Sequence, residues 1–211
     1  MANKVKAMVN DRTAVEFDQL YVDLGSSQYA QAVALAAGTS NIGDVDVASI
    51  AAGETHIGEV GGKTAVVAPT ITVTAGAYDA NDNIGGTLTL TGAARVAGGG
   101  TALTRITVTD AANQKAQLEL LFFSANPSAS TFTNNAAPVI HADDIAKLVG
   151  RLTVYASDYV TINAKGIACL ANIGLAMVPT TADLYLAIMT PGTPTYAATS
   201  DLRMSLAFYQ D

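Results

Sequence analysis

The amino-acid sequence predicts an all-β protein: an antiparallel β-sandwich, jelly-roll-like, with an extended N-terminal arm and one short helix. Three observations lead there. Runs rich in Thr, Val, Leu and Ile alternate with a period of two along the C-terminal two-thirds, as strands with one buried face do. Gly, Pro, Asn and Asp punctuate these runs at short spacings, which is the rhythm of a sandwich. Half of the 211 residues are apolar, enough to fill a core and to argue against disorder over most of the chain.

In chain order, the first strand-like stretch is Ala14 to Leu24, followed by Gln28 to Ala37, whose alanines permit a helix or a strand. An internal echo comes next. Ala36-Ala37-Gly38-Thr39-Ser40-Asn41-Ile42-Gly43-Asp44-Val45 is matched fifteen residues later by Ala51-Ala52-Gly53-Glu54-Thr55-His56-Ile57-Gly58-Glu59-Val60. Stacked repeats need about three copies to bury a core of their own, so two copies read as an arm that gains its neighbours from other subunits. The texture changes before Ala77-Tyr78-Asp79, which divides the chain into an arm region, 1–75, and a sandwich, 76–211.

Within the sandwich, Gly86-Thr87-Leu88-Thr89-Leu90-Thr91 and Leu103-Thr104-Arg105-Ile106-Thr107-Val108-Thr109 alternate strictly. Gly98-Gly99-Gly100 between them reads as a flexible hairpin connection. Asp110-Ala111-Ala112-Asn113 is a turn, and Gln117 to Phe123 starts alternating and ends continuously apolar. Further strands are expected at 151–155, 159–163, 167–177, 184–189 and 202–209. The nearly unbroken apolar run from Ile167 to Val178 predicts burial on both faces. One helix is expected at 142–150, with Asp143 or Asp144 capping its start, Ile145, Leu148 and Val149 on one face, and Gly150 ending it. Before it lies a long polar loop, Asn126 to Asn135, of a length that often serves contact or function.

Composition narrows the function. Only 14% of residues are charged, against about 25% in an average globular protein, so much of the surface is expected to be covered by other subunits. The net charge is −7 with no Lys/Arg block, which disfavours nucleic-acid binding because phosphate must be met by basic side chains. The single cysteine, Cys169, rules out an internal disulfide framework and reads as a buried small hydrophobe. No secretory leader pattern follows Met1 and no stretch reaches 18 uninterrupted apolar residues, so neither secretion nor a membrane span is expected.

Candidate chemistry is thin. Asp79-Ala80-Asn81-Asp82-Asn83-Ile84-Gly85 begins like a calcium loop, but such a loop needs Gly at its sixth position and Glu at its twelfth. Ile84 and Leu90 stand there, so a polar turn is expected. Asp44 and Asp46 form an acidic pair without identifiable co-ligands, and His56, His141 and Cys169 supply a zinc site poorly. No Gly-x-Ser-x-Gly elbow is present, nothing around Cys169 marks a nucleophile, and Gly98-Gly99-Gly100 lacks the Lys-Ser/Thr of a phosphate loop. A carboxylate pair for glycan cleavage needs no local motif, but the chain has no tryptophan to form a sugar platform. Arg95, Arg105, Arg151 and Arg203 sit singly in or beside strands and are expected to be solvated, salt-bridged, or register-setting at an interface. No enzyme, metal or cofactor is therefore expected.

Three stretches carry a resemblance: Asn41-Ile42-Gly43-Asp44-Val45-Asp46-Val47, the run from Leu120 to Ala136, and Gly192-Thr193-Pro194-Thr195-Tyr196-Ala197-Ala198-Thr199-Ser200-Asp201-Leu202. They resemble structural proteins of tailed-bacteriophage particles, over roughly residues 36 to 211. The resemblance implies a virion component assembled in the host cytoplasm, in the first instance a capsid decoration or cement protein. It would bind the major capsid protein and self-associate as a homotrimer. The alternative is a tail, baseplate or fibre component that contacts a host receptor, with residues 126–136 as its tip. No catalytic residues come with the resemblance.

Overall fold

The computed structural model describes residues 62–211 in full and, before them, the backbone of two short strands. The chain divides into two compact units, Met1–Thr55 and His56–Asp211. In the first, β1 (Tyr21–Asp23) pairs antiparallel with β2 (Tyr29–Gln31), with Val22 opposite Ala30. The Ala-Ala-Gly echo, Asp44, Asp46 and His56 lie outside the described residues.

The second unit is the expected all-β sandwich. Its strands are β3 (Lys63–Val67), β4 (Asp82–Leu90), β5 (Thr101–Asp110), β6 (Leu118–Phe123), β7 (Leu148–Val154), β8 (Tyr159–Ile162), β9 (Lys165–Met177), β10 (Leu184–Thr190) and β11 (Leu202–Gln210). They form two antiparallel sheets, one ordered β4-β10-β6-β7 and one ordered β3-β11-β5-β9-β8. The alternation seen in the sequence places one residue of each pair inside. Leu118, Leu120 and Phe122 of β6, Leu184, Leu186 and Ile188 of β10, Leu103, Ile106 and Val108 of β5, and Leu202, Met204, Leu206 and Phe208 of β11 fill one continuous core. Each such side chain contributes about 1.5–3 kcal/mol by leaving water.

Several sequence expectations need correction. The boundary near residue 75 lies too far along the chain. β3 pairs with β11, Ala65 facing Phe208, and Ile71 and Val73 are buried in the core, so residues 62–75 are part of the sandwich. The expected helix at 142–150 is a single turn, α1 (Ala142–Ile145), capped by His141 rather than by Asp143 or Asp144. The chain then runs straight into β7, because pairing with β6 (Leu120 opposite Leu152) recruits Leu148 and Val149 as strand residues. Gly150 is not a helix stop. It lies against Leu175 and Met177, where an added Cβ would come 2.9 Å from a Leu175 methyl.

Gly98-Gly99-Gly100 does not close a hairpin either. It belongs to the connection from β4 in one sheet to β5 in the other, with Gly98 at φ +72° and its N–H donating to the Pro179 carbonyl. A glycine serves that crossing because the left-handed region carries no Cβ penalty for it.

Candidate interaction surface

β9 was expected to be buried on both faces, and Cys169 with it. Instead the strand keeps one face in water. Ala168 points into the core while Cys169 and Ala171 are exposed. The long apolar run reflects an outer face built largely of small and aliphatic side chains, on which no second layer packs among the described residues.

Register shows how far that face extends. One row crosses the sheet as Val160, Ile167, Thr109 and Arg203. The next is Cys169, Thr107 and Ser205, with the Thr107 hydroxyl 3.7 Å from the Cys169 sulfur. A third runs Ala171, Arg105, Ala207 and Val66, and a fourth Ala176, Ala102, Tyr209 and Thr64. Val66 is 58% exposed, Val160 62% and Ile162 56%. Where β3 begins, the Tyr209 hydroxyl accepts a hydrogen bond from the Gly62 N–H at 2.7 Å.

Charge on this face has one sign. Arg105, Arg203 and, beside Ile162, Lys165 face outward, and no carboxylate occupies any of the rows. Among the described residues neither arginine has a carboxylate partner. Arg151 on the other sheet behaves differently. Its guanidinium reaches Glu119 at 2.8 Å, and Glu119 also accepts from Thr153 and Gln117. Partial burial raises the Glu119 pKa, but these donors outweigh it and hold the carboxyl below its usual range. Arg95 is half-buried beyond the end of β4.

The outer face of the four-stranded sheet is covered by the chain itself over its centre, while Thr87, Thr89 and Arg151 at its flanks stay exposed. Leu121, Phe123 and Ala187 form a second apolar cluster, closed by Phe132 from the loop after β6. That loop is not a free tip. Thr131 pairs with Val139, Asn134 pairs with Asn83, and the Asn134 side-chain oxygen accepts from the Tyr78 hydroxyl at 2.7 Å and the Gly85 N–H at 2.9 Å. Asp144 anchors its far end. The carboxylate is wholly buried, accepts from the backbone and hydroxyl of Ser130 at 2.6 and 2.7 Å, and meets the Lys147 ammonium at 2.7 Å. Burial works against its ionisation, but Lys147 and Ser130 prevail and bring its pKa down to about 2.

The remaining sequence candidates resolve into structure. Asp82 accepts the Asp79 N–H at 3.0 Å and Asn81 takes φ +72°, so Asp79 to Asn81 form a tight turn, while Asp82 to Gly85 already belong to β4, where the Asn83 amide donates to the Ile188 carbonyl. His141 accepts the Asp143 N–H through Nδ1 and lies 3.4 Å from the Asp143 carboxylate. Among the described residues no three His, Cys, Asp or Glu side chains converge to hold a metal, and none of the helices is long and apolar enough to cross a membrane. An open cleft of about 430 Å³ lies between Gln114–Gln117, Ala156 and Pro191–Pro194. Its only ionisable lining residue is Lys115, which leaves it without an acid–base pair.

Sequence reasoning found the strands but not the face. The available signal was the polar half of the alternation, where β5 and β11 offer Arg, Thr, Ser and Ala and never Asp or Glu. No protein-family model and no curated protein matches the chain.

Proposed function

We propose that this protein is a non-enzymatic structural subunit of an assembled particle, specifically a tailed-phage virion, where it acts as a decoration or cement protein on the capsid shell. The observation that carries this reading is the broad, acid-free outer face of β3-β11-β5-β9-β8, which no part of the described chain covers. A surface of Val, Ile, Ala and Thr gains by leaving water, and a chain with 14% charged residues has few groups to lose in doing so. Repeated around a lattice, modest contact energies add up to substantial reinforcement of a shell. The resemblance in residues 36 to 211 supplies the kind of particle and the major capsid protein as partner.

The tail or receptor-binding reading depended on the 126–136 loop as an exposed tip. Anchoring of that loop through Phe132, Asn134 and Asp144 favours the shell reading over it. The test is the copy number of the chain per purified particle, by quantitative mass spectrometry against the major capsid protein. A ratio near one is expected. A ratio of a few per cent would move the protein to the tail, and absence from particles would overturn the structural assignment.

A further inference from the structure

A sheet edge offers unmatched N–H and C=O groups to any extended chain that passes, and folded proteins cover, charge, shorten or bend their edges against it. The outermost strands here use the first three of these means. β4 is lined by the loop after β6, the Asn83 N–H donating to the Ala136 carbonyl and the Asn135 N–H to the Asn83 carbonyl. β7 carries Arg151 in its middle, with a side chain 65% exposed. β3 is short and starts on Lys63, and β8 is shorter still and meets Lys165 across its turn.

β9 is different. β8 covers its edge only from Lys165 to Ala168, and among the described residues no strand lies along that edge from Cys169 to Met177. The open stretch has neither a charged residue nor a proline. Apolar, uncharged segments of this kind are the ones that pair edge to edge between chains. What the stretch has instead is a bulge at its centre. Leu103 faces Leu175 and Arg105 faces Ala171, so Thr104 stands opposite Asn172, Ile173 and Gly174 together. Asn172 takes φ +58° and Gly174 φ +69°. A left-handed residue turns its N–H and C=O out of the ladder direction, so an incoming strand loses its register there. Ile173 packs against the core and pins the distortion between two exposed neighbours. A Cβ at Gly174 would meet nothing within 4 Å, so glycine serves there for its conformation and not for space.

We infer that the Asn172–Gly174 bulge guards the open edge of β9, keeping the sandwich from adding a strand of another chain along Cys169 to Met177. The inference stands apart from the virion reading, since it concerns a contact that the fold prevents in any setting.

Sedimentation velocity of the full-length chain, with circular dichroism to confirm the fold, tests it. Asn172→Val/Gly174→Val replaces both left-handed residues with β-branched ones, which resist positive φ and favour extended backbone. The variant is expected to keep its β spectrum and to shift from the wild-type boundary to heavier species that grow with concentration. Backbone amides from Leu170 to Ala176 should then gain protection from hydrogen exchange. Ala176→Lys, at an exposed position of the same stretch, should return the double variant to the wild-type boundary, because an edge lysine opposes strand pairing without mending the bulge. Asn172→Gly keeps the conformation and should sediment as wild type. Where the double variant does not fold, Gly174→Ala, which adds only the φ penalty, is read in the same way. A folded variant that sediments as wild type would overturn the inference. So would association that Ala176→Lys leaves in place, since that is misfolding rather than strand addition.

Discussion

Phe132 lies with its ring centroid 5.7 Å from that of Phe123, the planes tilted by 59°, on the side of β6 that faces away from the main core. A loop residue thus supplies the roof of the four-stranded sheet. Aromatic pairs in this geometry add to the area they bury, so Phe132→Ala should destabilise the sandwich by roughly 2–4 kcal/mol, toward the lower end of buried Phe truncations because the cluster is small. Urea unfolding monitored by circular dichroism measures it. A loss under half a kcal/mol would mean that the loop lifts away from β6 freely.

Asp144 makes stability depend on acid. Its carboxyl titrates at about 2 in the folded chain against 3.8 without the fold, so the folded state binds the proton less tightly than the unfolded one. The stabilisation is therefore fully present above about pH 4 and is lost as pH falls toward 2. Glu119, whose pKa is also lowered, contributes with the same sign from its own ordinary value of 4.5 downward. Asp144→Asn should lower the melting temperature at neutral pH and flatten its fall between pH 4 and pH 2. An unchanged pH profile in the variant would dissociate acid sensitivity from this site.

The strands were legible in the sequence because period-two alternation is a direct imprint of a two-faced sheet, and all eight runs from Gly86 onward correspond to β4 through β11. What misled was context. Ile167 to Val178 is apolar enough for a central buried strand, yet Cys169 is in water, since hydrophobicity alone does not say whether a second layer exists. Asp143, Asp144, Ile145 and Leu148 satisfy helix rules locally, and tertiary pairing with β6 overrides them after one turn. In the Asp144–Ser130–Lys147 cluster the Asp144–Lys147 pair has a local i,i+3 spacing, but Ser130 comes from fourteen residues away, for which no local spacing rule exists.

Gly150 tests how tightly β7 approaches β9. A Cβ there would come 2.9 Å from a Leu175 methyl and 3.2 Å from the Met177 sulfur, both ends of flexible side chains. Gly150→Ala should therefore cost only about 1 kcal/mol, and Gly150→Val roughly 1–3 kcal/mol as the two side chains run out of room. Thermal unfolding of the pair would show it. A stabilising Gly150→Val would mean that the space between these strands is larger than the packing indicates.

Tyr78 and Tyr196 meet edge to face at 5.9 Å, both 1% exposed, and their hydroxyls have opposite fates. The Tyr78 hydroxyl donates to Asn134 and accepts from the Thr74 N–H, each at 2.7 Å. The Tyr196 hydroxyl has no hydrogen-bond partner among the described residues, and burial, with Asp110 nearby, drives its pKa far upward. An unmet buried donor costs about 1–3 kcal/mol, whereas a made hydrogen bond returns about 1 kcal/mol. Removing one oxygen from each ring should therefore move stability in opposite directions. Tyr196→Phe is expected to stabilise by about 1 kcal/mol, and Tyr78→Phe to destabilise by roughly 1–2 kcal/mol because the Thr74 N–H is left unmet and the Asn134 oxygen keeps only the Gly85 N–H. Ring stacking is kept in both variants, so equilibrium unfolding isolates the hydroxyls. A loss of stability in Tyr196→Phe would show that its hydroxyl is bonded after all, most simply to a buried water.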